Sequence, residues 1–356
     1  MDFGRAALAR ALNRKGVAVT CVGDDTPVDG DIFELVERCE TRPSLILQPE
    51  SDFPLLPQRL TSIDIPTASF QIDTYAYTRR RIRWSMLYDH PIVFHPGYQQ
   101  RFEQAGHPGV ITLYHAACRD LFCQPPVERV FEIGSVGRTY ARAQRTRRRV
   151  MNSLARKYRL NDWKKFYSFA EMAEVYRRSK IVVNVTRDDY RHDANMRAFE
   201  AMAAGCLVIS PVPTELTTVG LKENIHFVPY RHKSQIEDLV RTYLSNDQDR
   251  ERIAKAGQEK VLADHTYDNR ADELIRAIEN FKGKLFAPAR CWTEGKVHLA
   301  CLDYYSASLQ FRPARHELNR LIKKDIARAA SGSFLIAAAL TRTPRNHLIA
   351  LTHRRG

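Results

Sequence analysis

The segment from Ser179 to Pro213 constrains the fold more than any other part of the sequence. It contains two short apolar runs rich in β-branched residues, 181–185 and 206–210, which are typical of strands buried on both faces. Between them, apolar residues recur at helical spacing: Met196, Phe199, Met202 and Ala203. A strand, a helix and a second strand form one crossover unit, so we predict an α/β fold with a parallel sheet.

Both ends of this helix carry recognisable signals. Asp193 is a residue type that caps helix N-termini, and Gly205 stands where a left-handed residue ends a helix. The backbone N–H groups of the first turn, around Ala194, Asn195 and Met196, have no partner within the helix and favour negative charge. We therefore predict that a phosphate docks at this helix start.

Arg197 and Glu200 follow on one face of the same helix. At a rise of 1.5 Å per residue, the Glu200 carboxylate lies about 6–9 Å from the phosphate position, near the ribose of a docked nucleoside diphosphate. A carboxylate accepts two hydroxyl hydrogen bonds at once, which suits a ribose diol. From spacing alone, the alternative is an ordinary i,i+3 ion pair on a solvated helix face.

The run NMRAFEAMAAGCLVISP, the glutamate in PVPTEL and the later HTYDNRADELI resemble the donor-binding half of the CgeB-like (spore-maturation type) GT-B glycosyltransferases, relatives of the group-1 retaining transferases. The resemblance covers roughly Val130 to Phe281. It implies an α/β, GT-B fold: two Rossmann-like domains whose parallel sheets face an interdomain cleft. It also implies transfer of a hexose-type sugar from a nucleoside diphosphate sugar to a hydroxyl acceptor, which is a glycan, a lipid-linked glycan or a protein. A UDP-sugar is the expected donor, with GDP- and dTDP-sugars as alternatives, and neither a cofactor nor a bound metal is expected.

In the wider group, two glutamates separated by seven residues mark the active site. The second matches Glu200, which the resemblance makes the ribose ligand. The first falls on His192, with Asp193 one place away. We therefore take His192, Asp193 and Arg197 as the predicted catalytic residues, and Asn195, Arg197 and Glu200 as predicted donor ligands.

A second phosphate-binding element is predicted where the strand 129–133 ends in a turn that begins at Gly134. Glycine allows the backbone to approach a phosphate closely, and arginines can neutralise its charge. The resemblance places Gly134 and Ser135 against the diphosphate. Arg138 and Arg142 are the candidates for the downstream arginine.

The length of 356 residues and a hydrophobic content of 44% allow two α/β cores. We predict an N-terminal Rossmann-like acceptor domain over residues 1–125 and a nucleotide-sugar donor domain over residues 126–285. Residues 286–356 are predicted to return a helix to the first domain and to end in a basic tail. Strands are also predicted at 17–22, 44–47, 65–70, 91–95, 110–114, 165–168 and 225–228. The turn at 169–171 is predicted to meet the nucleobase.

Two groups of side chains in the first domain are candidates for acceptor chemistry. His90, His95, His107 and His115 lie near predicted strand ends, where each could polarise a hydroxyl or be a structural histidine. The second group could be a sugar or anion platform or a solvated helix face; it comprises Tyr75, Tyr77, Arg79, Arg80, Arg81, Arg83 and Trp84.

The formal net charge of +14 is concentrated in two segments. Residues 138–160 contain nine basic residues and no acidic one, and residues 312–356 contain ten basic residues against two acidic ones. Such clusters predict an attraction to phosphates. An anionic membrane surface or a polyanionic acceptor would be a suitable partner, and a nucleic-acid acceptor is the alternative.

The sequence shows neither an apolar run long enough to span a bilayer nor a cleavable signal pattern. We expect a cytoplasmic protein, with peripheral binding at the inner membrane face as a second location. Seven cysteines without a C-x-x-C pair argue against a zinc site and a disulfide framework. Because His192 stands where a glutamate is expected, a non-catalytic nucleotide-binding interaction protein is a further alternative.

Overall fold

A computed structural model describes residues 3–22, 30–49, 56–307, 310–325 and 328–333. The chain forms two compact units. Unit I comprises Met1–Val19 and Leu113–Ile278, and unit II comprises Thr20–Thr112 and Glu279–Gly356. Each unit is built around its own parallel sheet.

The strands, in chain order, are β1 Ile46–Gln48, β2 Thr67–Gln71, β3 His90–Val93, β4 Ile111–Thr112, β5 Phe131–Gly134, β6 Ser179–Val183, β7 Leu207–Pro211 and β8 Val228–Tyr230. The helices are α1 Phe3–Arg14, α2 Ile32–Glu37, α3 Thr78–Ser85, α4 Pro96–Gln104, α5 Arg119–Phe122, α6 Arg145–Leu154, α7 Phe169–Arg177, α8 Met196–Ala203, α9 Glu215–Thr218, α10 Gln235–Ser245, α11 Asp247–Asp264, α12 Tyr267–Phe281, α13 Glu294–Ala307 and α14 Phe311–Lys324.

The sheet of unit I has the order β5-β6-β7-β8, and every neighbouring pair is parallel. Ile181 of β6 pairs with Leu207 of β7, and both side chains are fully buried. The sheet of unit II has the order β1-β2-β3-β4 and is also parallel throughout. The predicted fold class, two Rossmann-like halves with parallel sheets, is therefore confirmed.

Helix α8 packs its apolar stripe onto the core of unit I. Phe199 and Met202 are fully buried, and each contributes about 1.5–3 kcal/mol through the apolar surface removed from water. Gly205 follows the helix at φ +74°, the left-handed conformation that the sequence predicts.

Two predicted strands are wrong. Residues 17–22 are irregular and join neither sheet. Val17 and Val22 are therefore exposed instead of being buried in a strand. Residues 165–168 lead into α7 instead: Ser168 and Glu171 form a reciprocal capping box. The predicted nucleobase turn at 169–171 is consequently the first turn of that helix.

The two units differ from the predicted division at residues 125/126 and 285/286. Helix α1 belongs to unit I because Ala7 and Ala11 are buried and Arg14 bonds to Asp120 and Asp268. Helices α13 and α14 belong to unit II, where Leu302, Tyr305 and Leu321 enter a cluster with Ile63 and Leu87. The apolar run 334–340 of the basic tail lies outside the described residues.

A buried ion pair ties the returning segment of unit II to its sheet. Asp89 is fully buried and accepts hydrogen bonds from the Arg290 guanidinium and from the backbone N–H groups of Phe286 and Ala287. Despite the burial, these hydrogen bonds hold the pKa of the Asp89 carboxyl below its usual value.

Two of the four candidate histidines, both in unit II, have structural partners. His107 Nε2 lies 2.9 Å from the Tyr88 carbonyl oxygen, and its Nδ1 accepts from Gly109 N at 3.2 Å. His90 Nδ1 lies 3.1 Å from the Gly109 carbonyl oxygen. Burial lowers the pKa of both imidazoles, which keeps them neutral. In the part of the chain that the structure describes, no helix is both long and apolar enough to cross a bilayer.

Candidate functional site

The candidate site lies at the carboxyl edge of the unit I sheet, where open α/β sheets bind ligands. The turn after β5 and the segment after β6 both leave the sheet at this edge. The same edge carries the loop that leads into α8. The sequence-predicted residues at Gly134–Ser135 and at His192–Glu200 are therefore brought to one edge.

Gly137 marks the point at which two arginines converge. Its φ is +105°, a conformation that favours glycine, and an added Cβ would lie 3.4 Å from Arg197 Nη1 and 3.5 Å from Arg147 Nη1. Arg197 comes from the first turn of α8, and Arg147 comes from α6. A glycine turn is thus lined by two guanidinium groups.

Both arginines are anchored to backbone carbonyl oxygens. Arg147 donates from Nε and Nη2 to Val185 O, at 3.1 and 2.8 Å, and from Nη1 to Arg138 O at 2.9 Å. Arg197 Nη2 donates to Val185 O at 3.4 Å. Among the described residues, no carboxylate forms an ion pair with either arginine. Two like charges held together without an anion form a cradle for one.

Arg147 is only 3% exposed. Its burial, and then the neighbouring charge of Arg197, lower the pKa of the Arg147 guanidinium. A bound anion would counteract both effects by stabilising the charged guanidinium, because it would supply the missing opposite charge.

Helix α8 begins later than the sequence predicts. Asn195, rather than Asp193, is the N-cap residue, because Asn195 is extended (φ −67°, ψ 159°) and Met196 is the first helical residue. The Asn195 side chain makes no capping bond, and its oxygen and nitrogen are both buried without a partner among the residues described. A buried amide in this state is unfavourable until a polar ligand binds it.

Glu200 is 2% exposed, so it does not lie on a solvated helix face. Burial raises the pKa of its carboxyl to about 7, against the opposing effect of the Arg197 charge. No described residue hydrogen-bonds to Glu200 Oε2. The hydroxyl of Tyr176, also fully buried and without a partner in the described structure, has its pKa raised by burial and then by the Glu200 charge.

The loop before α8 is held by Glu215. Its Oε1 accepts from Tyr190 Oη at 2.8 Å, and its Oε2 accepts from Ala194 N at 3.5 Å. The N–H of Ala194, predicted to be available to a phosphate, is therefore already engaged. Glu215 N also donates to the carbonyl oxygen of His192 at 2.8 Å.

His192 and Asp193 differ in their surroundings. The His192 side chain is exposed, with Nδ1 3.1 Å from the Pro213 carbonyl oxygen. Asp193 is buried in the loop that precedes α8. Neither residue is the helix cap.

In the turn after β5, contacts within the protein account for two of the predicted phosphate ligands, Gly134 and Ser135. A Cβ on Gly134 would lie 2.2 Å from Ser179 Oγ, so the glycine is required for strand packing rather than for close approach to a phosphate. The backbone N–H of Ser135 donates to Asn161 Oδ1 at 2.8 Å, and Asn161 Nδ2 donates to Ser135 O at the same distance.

The predicted arginines Arg138 and Arg142 are exposed, and only the carbonyl oxygen of Arg138 touches the arginine pair. Arg147 is the residue that sequence reasoning missed. The available signal was its position: Arg147, Met151 and Leu154 stand at i, i+4 and i+7, so this arginine belongs to the apolar face of α6.

Comparisons with known proteins find similarity both in sequence and in fold. Residues 138–276 match a family model described as "Glycosyl transferase-like". The solved structure of HepE from Anabaena, in complex with UDP and glucose, is similar with a TM-score of 0.51 at 11% identity, covering 70% of this chain and 81% of that one. A glycosyltransferase from Rickettsia africae gives a TM-score of 0.50 at 10% identity, covering 77% and 87%. No curated protein is similar enough in sequence to count as a match.

The matched segment holds both arginines, Asn195 and Glu200. The two parallel-sheet halves are those of the structural neighbours. This chain therefore has the fold of the GT-B glycosyltransferases, and its residues 138–276 are similar to a glycosyltransferase family domain.

Proposed function

We propose that the protein is a hexosyltransferase of the CgeB-like type, which transfers a sugar from a nucleoside diphosphate sugar to a hydroxyl of a glycan, a lipid-linked glycan or a protein. The observation that carries this proposal is the convergence of Arg147 and Arg197 on Gly137. A diphosphate fits this cradle because it supplies the negative partner that neither arginine has among the described residues.

The arginine pair acts on the leaving group. When the bond between the sugar and the diphosphate breaks, negative charge develops on the terminal phosphate, and preorganised cations stabilise that charge more than the ground state. Hydrogen bonds to Val185 and Arg138 hold Arg147 in place before the donor arrives. Because two guanidinium groups supply the positive charge, we propose that transfer needs no bound metal.

Glu200 is the proposed ribose ligand. Its buried Oε2 without a partner can accept a ribose hydroxyl, provided that donor binding moves the covering side chains aside. A pKa near 7 means that the carboxyl of the free protein is partly protonated at neutral pH. Binding the diol favours the carboxylate, because that form accepts hydrogen bonds from both hydroxyls.

The remaining predicted residues have supporting roles in this proposal. The Asn195 amide, which is buried without a partner in the described structure, meets the donor at the start of α8. His192 and Asp193 lie on the loop before that helix, next to the transferred sugar. The exposed Arg138 and Arg142 complete the phosphate side, whereas Gly134 and Ser135 hold the turn that leads to it through packing and hydrogen bonds within the protein.

A UDP-sugar is the proposed donor, with GDP- and dTDP-sugars as alternatives. The support is the similarity to HepE, which was solved with UDP and glucose. We also propose a cytoplasmic protein that binds anionic membrane surfaces peripherally, because the exposed side of α14 carries only basic charges: Arg312, Arg315, Lys323 and Lys324.

The test is a thermal-shift panel of UDP-, GDP- and dTDP-sugars on the purified protein, followed by product analysis with the best binder. We expect one nucleotide class to raise the melting temperature and to be consumed with release of the nucleoside diphosphate. Stabilisation without turnover of any sugar would support the non-catalytic alternative, and no stabilisation by any nucleotide would contradict the proposal.

A further inference from the structure

The carboxyl edge of the unit II sheet carries an aromatic cluster. β2 ends at Gln71 and β3 ends at Val93, and the rings lie in the segments that follow. The His95 ring lies 5.3 Å from that of Tyr75 and 6.3 Å from that of Tyr98, both in edge-on geometry. This is the edge at which parallel α/β sheets bind ligands.

Arginines accompany these rings. The Arg80 guanidinium lies 5.2 Å from the ring centre of Tyr77, and that of Arg101 lies 4.8 Å from the ring centre of Tyr98. Tyr77 is 73% exposed and has a left-handed backbone (φ +58°), a strained conformation for a tyrosine. This conformation places an aromatic ring in solvent beside the Arg80 guanidinium.

The charge at this edge is strongly positive. Arg79, Arg80, Arg81 and Arg101 lie on the helices that follow β2 and β3, and Asp73 accepts a hydrogen bond from Tyr75 Oη at 3.0 Å. Within the described ranges, neither Arg79 nor Arg101 forms an ion pair. Arg83, by contrast, pairs with Asp303.

Two buried polar atoms at the same edge lack partners in the described structure: Gln71 Oε1 and Thr74 Oγ1. Both residues are fully buried. Each of these atoms would gain a hydrogen bond from a hydroxyl-bearing ligand.

We propose that this tyrosine–arginine edge (Gln71, Thr74, Tyr77, Arg79 and Arg101) binds the acceptor, and that the acceptor is an acidic saccharide bearing carboxylate or phosphate groups. The inference rests on the proposed function. Sugar rings pack on the aromatic surface, hydroxyls reach Gln71 and Thr74, and the acidic groups pair with the arginines. A saccharide fits better than single-stranded nucleic acid, because one strongly exposed ring does not make a stacking platform for successive bases.

The test compares binding of four oligomers to the full-length protein at low and at moderate salt. The probes are a hexasaccharide of polygalacturonate, a poly(glycerol phosphate) oligomer, neutral maltohexaose and an oligothymidylate. The edge variant is Arg79→Ala with Arg101→Ala, and a second variant is Tyr77→Ala. The matched control is Arg38→Ala with Arg42→Ala, which removes two exposed arginines elsewhere in unit II.

We expect at least one acidic probe to bind about tenfold or more tightly than maltohexaose, with binding that weakens as salt is raised. The edge variant should lose about tenfold in affinity for that probe, and the control variant should not. Preference between the carboxylate and the phosphate probe identifies the acidic group.

The inference is overturned if maltohexaose binds as tightly as both acidic probes, if the control variant loses as much affinity as the edge variant, or if an oligothymidylate binds more tightly than either acidic probe. Stabilisation by the nucleotide sugar and its hydrolysis are measured on the same preparations. A protein that retains both but shows no acidic preference contradicts only this inference, whereas loss of both contradicts the proposed function.

Discussion

Arg147 and Arg197 donate hydrogen bonds to the same carbonyl oxygen, that of Val185, at 2.8 and 3.4 Å. Two cations that share one neutral acceptor repel each other, and both guanidinium groups lie beside Gly137, which has no side chain. This arrangement is unfavourable in the free protein and favourable once an anion lies between the guanidinium groups.

Replacing Arg147 by methionine should weaken binding of the UDP-sugar by about tenfold to a hundredfold, because a buried charged hydrogen-bond donor is lost. Arg147→Lys should recover part of this affinity by restoring the charge without the bidentate contact to Val185. Arg149→Ala, which removes an exposed arginine of the same helix, is the control and should leave the dissociation constant unchanged. Calorimetry measures all three, and equal losses for Arg147→Met and Arg149→Ala would argue against a local cradle.

Gly137→Ala should weaken donor binding and destabilise the fold by about 1 kcal/mol, because alanine at φ +105° is strained and its Cβ touches both arginines. Gly16→Ala is the matched control: its φ is +81°, and nothing lies within 4 Å of the added Cβ. Thermal unfolding should show similar destabilisation in the two variants, whereas only Gly137→Ala should raise the donor dissociation constant. A similar rise in both would mean that backbone strain alone is responsible.

Donor binding should depend on pH through Glu200. The carboxyl of the free protein has a raised pKa of about 7, and the ribose diol binds the deprotonated form. Affinity should therefore be constant above pH 7 and fall by up to about tenfold per pH unit below it. Calorimetry in buffers of different ionisation enthalpy should detect proton release on binding near pH 7. In Glu200→Gln both the pH dependence and the proton release should disappear; a pH dependence that survives this change would assign it to another group.

Gly134→Ala should destabilise unit I by about 1–3 kcal/mol, because its Cβ would overlap Ser179 Oγ and Cβ. Adding Ser179→Gly should restore much of this loss, since it removes both overlapping atoms. Denaturant unfolding measures the effect. If the double variant is no more stable than Gly134→Ala, the close contact is not the reason for the glycine.

Breaking the Asp89–Arg290 pair should destabilise unit II by about 3–5 kcal/mol, because either partner left alone is a buried charge. Since the folded-state pKa of Asp89 lies below its unfolded value, its contribution is fully present above the unfolded pKa, near 4, and is lost as pH falls through the folded pKa. Acid unfolding of the protein and of Asp89→Asn checks this. The variant should lose that component of the acid transition, and an identical pH profile would contradict the assignment.

Much of the fold is predictable because its signals are local. The two β-branched runs around α8 form buried parallel strands, and Gly205 ends the helix as its position indicates. The burial of Glu200 was not predictable from spacing. The i,i+3 spacing puts Arg197 and Glu200 on one helix face, but whether that face meets solvent or protein depends on how the neighbouring elements pack. The N-cap of α8 is Asn195, two residues later than the predicted Asp193. Both are equally good cap types, so the position of the cap depends on tertiary packing.

Arg147 shows why the site was only partly predictable. Among the consecutive arginines of α6, one lies on the apolar face, but charge counting treats all of them alike. Arg147 is held in the site by contacts with the carbonyl oxygens of Val185 and Arg138. Val185 is distant in sequence and Arg138 lies in an irregular segment, so no local pattern predicts these contacts. The pairing of Glu215 with the Ala194 N–H is likewise a contact between the first residue of α9 and the loop before α8, which no local pattern indicates.

The most direct test is calorimetric titration of UDP-glucose into the wild-type protein, Arg197→Ala and Arg149→Ala under one buffer condition. If the diphosphate lies between Arg147 and Arg197, the wild type and Arg149→Ala should bind with the same dissociation constant and Arg197→Ala should bind about tenfold or more weakly. Equal affinity in all three proteins would contradict a donor site at the start of α8.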